Sequence, residues 1–279
     1  MPTWERAWLR LATVVVLTAG CASLAPRRPA SIHVIGSDTM LVLAQRWAGA
    51  FMERNPGVVV TVEGGGSSTG IAALIAGRAD VATGSRPLAP EEVRSLTQRS
   101  GTLGVSSRCA RDAVSVYLNP SNPVRDLGLL QVKGIFSGRI GSWHKVGGRE
   151  APIHVIIRPP SSGTRRLFRS LVLDEEPFST RATVLPTTTA IVDAVRADPD
   201  AVGFGGIAFG DDLVHVSIDG QAPTREGVRL GAYPLGRYLF LHAAAAPRGW
   251  TKRFIDFALG PEGQRIVDEV GFVPLWVEE

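Results

Sequence analysis

The 279-residue chain has only two cysteines, Cys21 and Cys109, and they are too few and too far apart for a disulfide scaffold or a closely spaced zinc site. Its five histidines fall at no metal-ligand spacing, so no metal is expected; His33 and His154 lie on apolar strand-like runs, where a hydrogen-bonded structural imidazole is expected. Blocks of like charge are missing as well. The 30 Lys and Arg are dispersed among 26 Asp and Glu, the net charge is +4, and no RNA- or DNA-reading motif occurs, which speaks against a nucleic-acid partner. Repeats of fixed period and low-complexity stretches are also lacking. With 44% apolar residues, a chain of this length can bury a sizeable core in one large domain or two of ordinary size.

The one apolar run of note stands at the start. Arg6 and Arg10 lead into residues 11–19, a charged beginning and an apolar stretch of secretory-signal length, too short to span a bilayer. Leu17-Thr18-Ala19-Gly20-Cys21 follows and is similar to a bacterial lipoprotein box, in which the Cys is lipidated and becomes the new N-terminus. Thr18 stands three before the Cys, where Leu is usual. Cleavage near Ala22 with loss of Cys21 is the alternative. Residues 1–20 are therefore read as a signal peptide, and residues 21–30 as a lipidated Cys21 with a Pro26-Arg27-Arg28-Pro29 tether.

From Ser31 short β-branched runs alternate with helical spacing. Residues 32–35 read as a strand and 39–54 as a helix burying Leu43, Trp47, Ala50 and Phe51, ended by Asn55-Pro56-Gly57. A strand at 58–62, a short helix at 71–76 and a strand at 79–83 complete a βαβαβ unit. Such a unit implies a mainly parallel sheet with ligands beyond the carboxyl ends of its strands. Further strands are predicted at 113–118, 153–157 and 201–204, and helices at 165–173, 189–197, 250–259 and 262–270, the last two separated by Gly260-Pro261.

Three predicted strands stop at turns of small hydroxyl residues just before a helix. The turns hold Ser37, Asp38 and Thr39; Gly66, Ser67, Ser68 and Thr69; and Ser161, Ser162, Gly163 and Thr164. A helix start exposes unpaired N–H groups and the positive end of the macrodipole, so hydroxyls placed there can receive an anion. Helix capping alone accounts for any one such turn. The presence of Arg158 before the last turn, and of Ser85 and Arg86 after the strand at 79–83, adds forked donors suited to tetrahedral oxyanions.

Catalysis has less to rest on. Gly66-Ser67-Ser68-Thr69-Gly70 fits the G-x-S-x-G nucleophile elbow, with His144, His154, His215 or His242 as conceivable bases. The motif follows only the second strand, however, no HGGG-like oxyanion segment occurs, and no His sits in an evident catalytic loop. None of the turns carries the Lys of a nucleotide-binding loop. No catalytic residue and no cofactor are expected.

The turns, together with Asn119-Pro120-Ser121-Asn122-Pro123, Ile135-Phe136-Ser137-Gly138-Arg139-Ile140, Gly260-Pro261-Glu262-Gly263-Gln264 and Gly271-Phe272-Val273-Pro274-Leu275, resemble the phosphate-specific substrate-binding proteins (PstS-type) of bacterial ABC transporters from Ser31 to Leu275. The resemblance implies an α/β, two-lobed periplasmic-binding-protein-like fold (type II), each lobe a mainly parallel sheet flanked by helices. Lobe 1 would comprise 31–112 plus 238–279 and lobe 2 113–237, with crossings at 113–118 and 233–241. It further implies a monomer exported to the periplasm or cell surface and anchored to the membrane through Cys21. That protein would bind inorganic phosphate through Ser37, Asp38, Thr39, Gly66, Ser67, Ser68, Thr69, Ser85, Arg86, Arg158, Ser161, Ser162, Gly163 and Thr164 and pass it to ABC permease subunits. Another oxyanion such as sulfate or molybdate, a signalling or adhesion module of the same fold, and a serine hydrolase using Ser68 are the alternatives. Two departures stand out: Arg86 occupies a place where the family often has a carboxylate, and Pro159-Pro160 follow Arg158 where an acidic residue is common. Either Asp38 accepts the phosphate proton instead, or the pocket reads charge and shape.

Overall fold

The computed structural model describes residues 29–276. The expected signal peptide, Cys21 and all but the end of the tether lie outside the described residues. The predicted βαβαβ unit is present as β1 (Ala30–Gly36), α1 (Leu41–Arg54), β2 (Val58–Glu63), α2 (Ser67–Ile75) and β3 (Val81–Gly84), with a tight 3-10 turn at Asp38–Met40 before α1. That turn delays α1 by two residues relative to the spacing. The inward stripe of α1 is Leu43, Ala44, Trp47, Ala48 and Phe51, while Ala50 is only half-buried. Conversely, α2 begins earlier than its apolar residues suggest, because Ser67, Ser68 and Thr69 form its first turn.

The chain continues through α3 (Pro90–Ser100), β4 (Val105–Leu118), β5 (Asp126–Leu127), α4 (Leu129–Phe136), β6 (His154–Ile157), α5 (Gly163–Val172), β7 (Thr183–Val184) and α6 (Thr188–Ala197). Then come β8 (Ala201–Gly206), β9 (Val214–His215), β10 (Ser217–Ile218), α7 (Arg225–Leu230), β11 (Gly236–Ala243), α8 (Gly249–Leu259) and α9 (Pro261–Glu269).

One curled sheet runs through the molecule in the order β2-β1-β3-β11-β4-β8-β6-β7. Its outer parts are parallel, with β1 beside β3 at one end and β6 beside β7 and β8 at the other. In the middle β11 runs antiparallel to both β3 and β4, and β4 antiparallel to β8. The first part of β4 pairs with β11, from Val105 opposite Ala243 to Ala113 opposite Gly236, and its last part pairs with β8, from Val114 to Leu118. One 14-residue strand thus belongs to both lobes, where the sequence pattern suggested only its second half.

Each lobe has its own apolar centre. In the second, Trp143, Phe136, Phe168 and Phe204 are fully buried, and the rings of Phe168 and Phe204 stack with centroids 4.1 Å apart. In the first, Phe51 meets Phe254 edge-on at 5.4 Å, and the Trp47 indole donates to the Gly263 carbonyl at 2.9 Å, which fixes the C-terminal helices on α1. Gln264 donates to the Cys109 and Ala258 carbonyls and accepts from the Leu275 N–H. Cys109 is buried as a free thiol, pushed well above its usual range by burial.

His33 and His154 are exposed, hydrogen-bonded to Thr61 and Asp198. Among the described residues no group of His, Cys, Asp and Glu is arranged to hold a metal ion. The buried histidine is His242 on β11, whose Nδ1 lies 2.8 Å from Ser106 Oγ and whose ring stacks on Phe240. Burial lowers its pKa from 6.5 to about 4. The unfolded chain therefore takes up a proton below pH 6.5 that the folded one refuses, so stability is complete above that pH and declines as pH falls toward 4. The loss amounts to at most about 3 kcal/mol. Urea denaturation at a series of pH values should show this slope in the wild type and a flatter profile in His242→Gln.

Candidate functional site

The first hydroxyl turn is set by close contact between β1 and β3. A side chain at Gly36 would place its Cβ 2.2 Å from the Thr83 carbonyl oxygen, at a φ of +152°. Gly36 therefore brings the chain close enough for the Ser37 N–H to meet both Thr83 O (3.0 Å) and Thr83 Oγ1 (2.8 Å). Ser37 and Thr39 are buried, and Asp38 reaches across to accept the Gly65 N–H at 2.8 Å. The second turn enters α2 through Gly66. The Ser68 N–H then donates across the lobes to the Ser161 carbonyl at 3.1 Å.

In the other lobe β6 delivers Arg158, and Ser162 caps α5 by accepting the Arg165 N–H. Gly163 and Thr164 are the first helical residues. Gly163 lies directly against the facing lobe: a Cβ there would stand 2.3 Å from Ser67 Oγ and 2.6 Å from Ser85 Oγ. The missing side chain is what lets the two helix starts face each other.

Four buried hydroxyls from the two lobes form a chain. Thr39 Oγ1 is 3.1 Å from Thr164 Oγ1, Thr164 Oγ1 is 3.4 Å from Ser85 Oγ, and Ser85 Oγ is 3.2 Å from Ser67 Oγ. Beside them Arg158, 1% exposed, donates through Nη2 to Asp38 Oδ2 at 2.6 Å and through Nη1 to Thr188 Oγ1 at 2.8 Å. Its Nε is buried without a protein partner. Burial lowers the Arg158 pKa, and the Asp38 carboxylate opposes that effect. The acid missing after Arg158 in the sequence is thus supplied by Asp38 of the other lobe.

Not every predicted residue converges. The Thr69 hydroxyl is exposed and turns back to the Gly65 carbonyl at 2.8 Å, and Ser161 contributes its carbonyl to the interlobe hydrogen bond. Arg86 is buried but committed: it donates to both Glu92 oxygens, at 2.8 and 2.6 Å, and to Ser68 Oγ at 3.2 Å. Burial resists ionisation of Glu92, yet hydrogen bonds from Arg86 and the Ala89 N–H hold its carboxyl below the ordinary range. The Ser68 hydroxyl thus faces a guanidinium, and no histidine is among its hydrogen-bond partners in the described residues.

Sequence reasoning missed Thr83, Thr188, Glu92, Asp112 and Arg237. Asp112 on β4 and Arg237 on β11 are register partners and form a buried ion pair at 2.6 Å. Arg237 also donates to Thr164 Oγ1 at 2.9 Å. A charged residue inside an apolar strand run was the available signal for both.

A family profile described as the PBP superfamily domain matches residues 23–262. The phosphate-binding protein PstS of Bacillus subtilis is 30% identical over 250 residues, covering 88% of this chain and 81% of that protein. Protein SphX of Synechococcus elongatus is 28% identical over 298 residues, covering 99% and 88%. Among solved structures, a putative phosphate ABC transporter substrate-binding protein with bound phosphate from Clostridium perfringens superimposes with a TM-score of 0.80. It is 29% identical, with 88% of this chain and 100% of that chain covered. An ABC-type phosphate transport receptor from Vibrio cholerae gives a TM-score of 0.73 at 29% identity, with the same coverage.

Removing Asp38 leaves the Arg158 charge buried without its counterion, so Asp38→Ala should lose about 3–5 kcal/mol of stability in oxyanion-free buffer. Gly163→Ala forces the lobes apart at their closest contact and should cost about 1–3 kcal/mol. Both are read by urea denaturation; an Asp38→Ala protein as stable as the wild type would contradict the ion pair.

Proposed function

The chain belongs to the PBP superfamily, among its PstS-like phosphate-binding proteins, and from that premise we propose that it captures inorganic phosphate between its lobes for an ABC importer. The observation that carries this reading is the convergence of Ser67, Ser85 and Thr39 with Thr164, beside Arg158. These donors, with the N–H groups opening α2 and α5, replace water around a tetrahedral anion. No bond is broken. Binding holds the lobes together because only the closed arrangement brings both sets of donors to one ligand.

Arg158 is the anchor as a donor: its charge is shared with Asp38, but its buried Nε has no protein partner and is free to donate. Asp38 is the acceptor for the proton of hydrogen phosphate, in the role that a carboxylate at the Arg86 position would otherwise take. An acceptor-only group beside the anion disfavours fully ionised sulfate. Arg86 adds no free charge, because Glu92 neutralises it. The serine hydrolase alternative is weakened by the hydrogen bond that Arg86 donates to the Ser68 hydroxyl.

The protein is an exported one on this reading, held at the membrane by lipidated Cys21 after removal of residues 1–20. It works as a monomer that hands its ligand to permease subunits. Lobe 1 is taken as 31–112 plus 238–279 and lobe 2 as 113–237, with β4 and β11 as the crossing strands.

Calorimetry against phosphate, sulfate and molybdate tests the reading. Arg158→Ala should weaken phosphate binding by about 2–5 kcal/mol. Asp38→Asn should admit sulfate as a competitor that the wild type ignores. If wild-type protein binds sulfate as tightly as phosphate, selectivity for phosphate is refuted.

A further inference from the structure

Arg237 lies outside every loop that the sequence singled out, yet it reaches the site from the crossing strands. Its Nε and Nη2 both donate to Asp112 Oδ2, at 2.8 and 2.6 Å, and Asp112 Oδ1 accepts the Ile207 N–H at the end of β8. The guanidinium is thereby fixed with Nη1 toward the facing loops of both lobes, 2.9 Å from Thr164 Oγ1 and 3.5 Å from the Ser85 carbonyl.

A threonine hydroxyl has one proton and two lone pairs, and an arginine N–H can only donate. With one lone pair of Thr164 occupied by Arg237, the hydroxyl proton is left to point elsewhere. Its other neighbours are Thr39 Oγ1 and Ser85 Oγ, on the opposite side of the interlobe contact. Ser67 is treated alike from the first lobe, since its Oγ accepts the Ser85 N–H at 3.1 Å. Two fixed N–H groups thus occupy lone pairs on Thr164, inside the hydroxyl chain, and on Ser67, at its end, and leave both hydroxyl protons to turn into the site.

We propose that Arg237, held by Asp112, is a positioning residue that orients the Thr164 hydroxyl as a donor to the anion bound between the lobes. The inference rests on the phosphate-binding reading. It adds a charged group on the crossing strands that acts through Thr164, and it links the sheet that joins the lobes to the chemistry of the site.

A double-mutant cycle between Arg237 and Thr164 tests it, read by calorimetric titration of phosphate and by thermal melting. Arg237→Gln is made together with Asp112→Asn, so that no unpaired charge is buried. This neutral pair should weaken phosphate binding by about tenfold or more, as should Thr164→Val alone, while Thr164→Ser stays near wild type. Adding Thr164→Val to the neutral pair should cost no more than about a further threefold, because the hydroxyl has already lost its orientation. Should the neutral pair fail to fold, Arg237→Lys keeps the charge on Asp112 without the fork that reaches Thr164, and the same cycle is run on it. Losses that multiply in full, or a folded Arg237 variant that binds phosphate within about twofold of wild type, overturn the inference alone. A wild-type protein that binds neither phosphate, sulfate nor molybdate overturns the phosphate reading and this inference together.

Discussion

A guanidinium taken out of water costs several kcal/mol unless its charge and its N–H groups are met, and the Arg158 side chain, 1% exposed, has to be met from both lobes. Thr188 comes from its own lobe; Asp38 comes from the other. The carboxylate is held in turn by the Gly65 N–H, so the first two hydroxyl turns depend on each other before any ligand is considered. The close approach at Gly36 brings β1 against β3, and the close approach at Gly163 brings α5 against Ser67 and Ser85. Remove the ion pair and the reason for these approaches weakens; put a side chain at either glycine and the segments that carry its partners are pushed apart.

What was legible in the sequence was local. A β-branched run, a small hydroxyl turn and an apolar stripe lie within twenty residues of one another, and β1, α1, β2, α2, β3, β6 and α5 all follow from such neighbourhoods. The site residues on those turns came with them. The first half of β4 escaped because Ser106, Ser107 and Arg108 hide its alternation among polar residues, and α3 escaped because Leu96 is its one buried residue. Asp112 and Arg237 escaped for a different reason. They are 125 positions apart, and only the pairing of β4 with β11 makes them neighbours. The same is true of Asp38 and Arg158, whose partnership no spacing rule could have announced.

Arg86 shows how a residue can be a departure in sequence and fit in space. Read along the chain it places a positive charge where a carboxylate is usual. In the fold Glu92, in the first turn of α3, accepts the N–H of the N-cap residue Ala89 and closes a forked pair with Arg86. Glu92 also lies 3.7 Å from Arg166 of α5, and Glu91 pairs with the same arginine, so α3 touches the second lobe through charges in its first turn. Pairs as exposed as the latter contribute little to stability. Their place at the rim of the interlobe contact nevertheless continues outward the matching of opposite charges seen inside.

The buried arginines among the described residues are Arg86, Arg158 and Arg237, and each has its own carboxylate: Glu92, Asp38 and Asp112. Taken together these six groups sum to zero. An anion diffusing nearby meets three compact dipoles, whose fields fall off with distance faster than that of a lone charge, and salt screens them further with a Debye length of about 8 Å under physiological conditions. On the phosphate-binding reading, what these three pairs contribute is directed hydrogen bonds at short range and little attraction from afar.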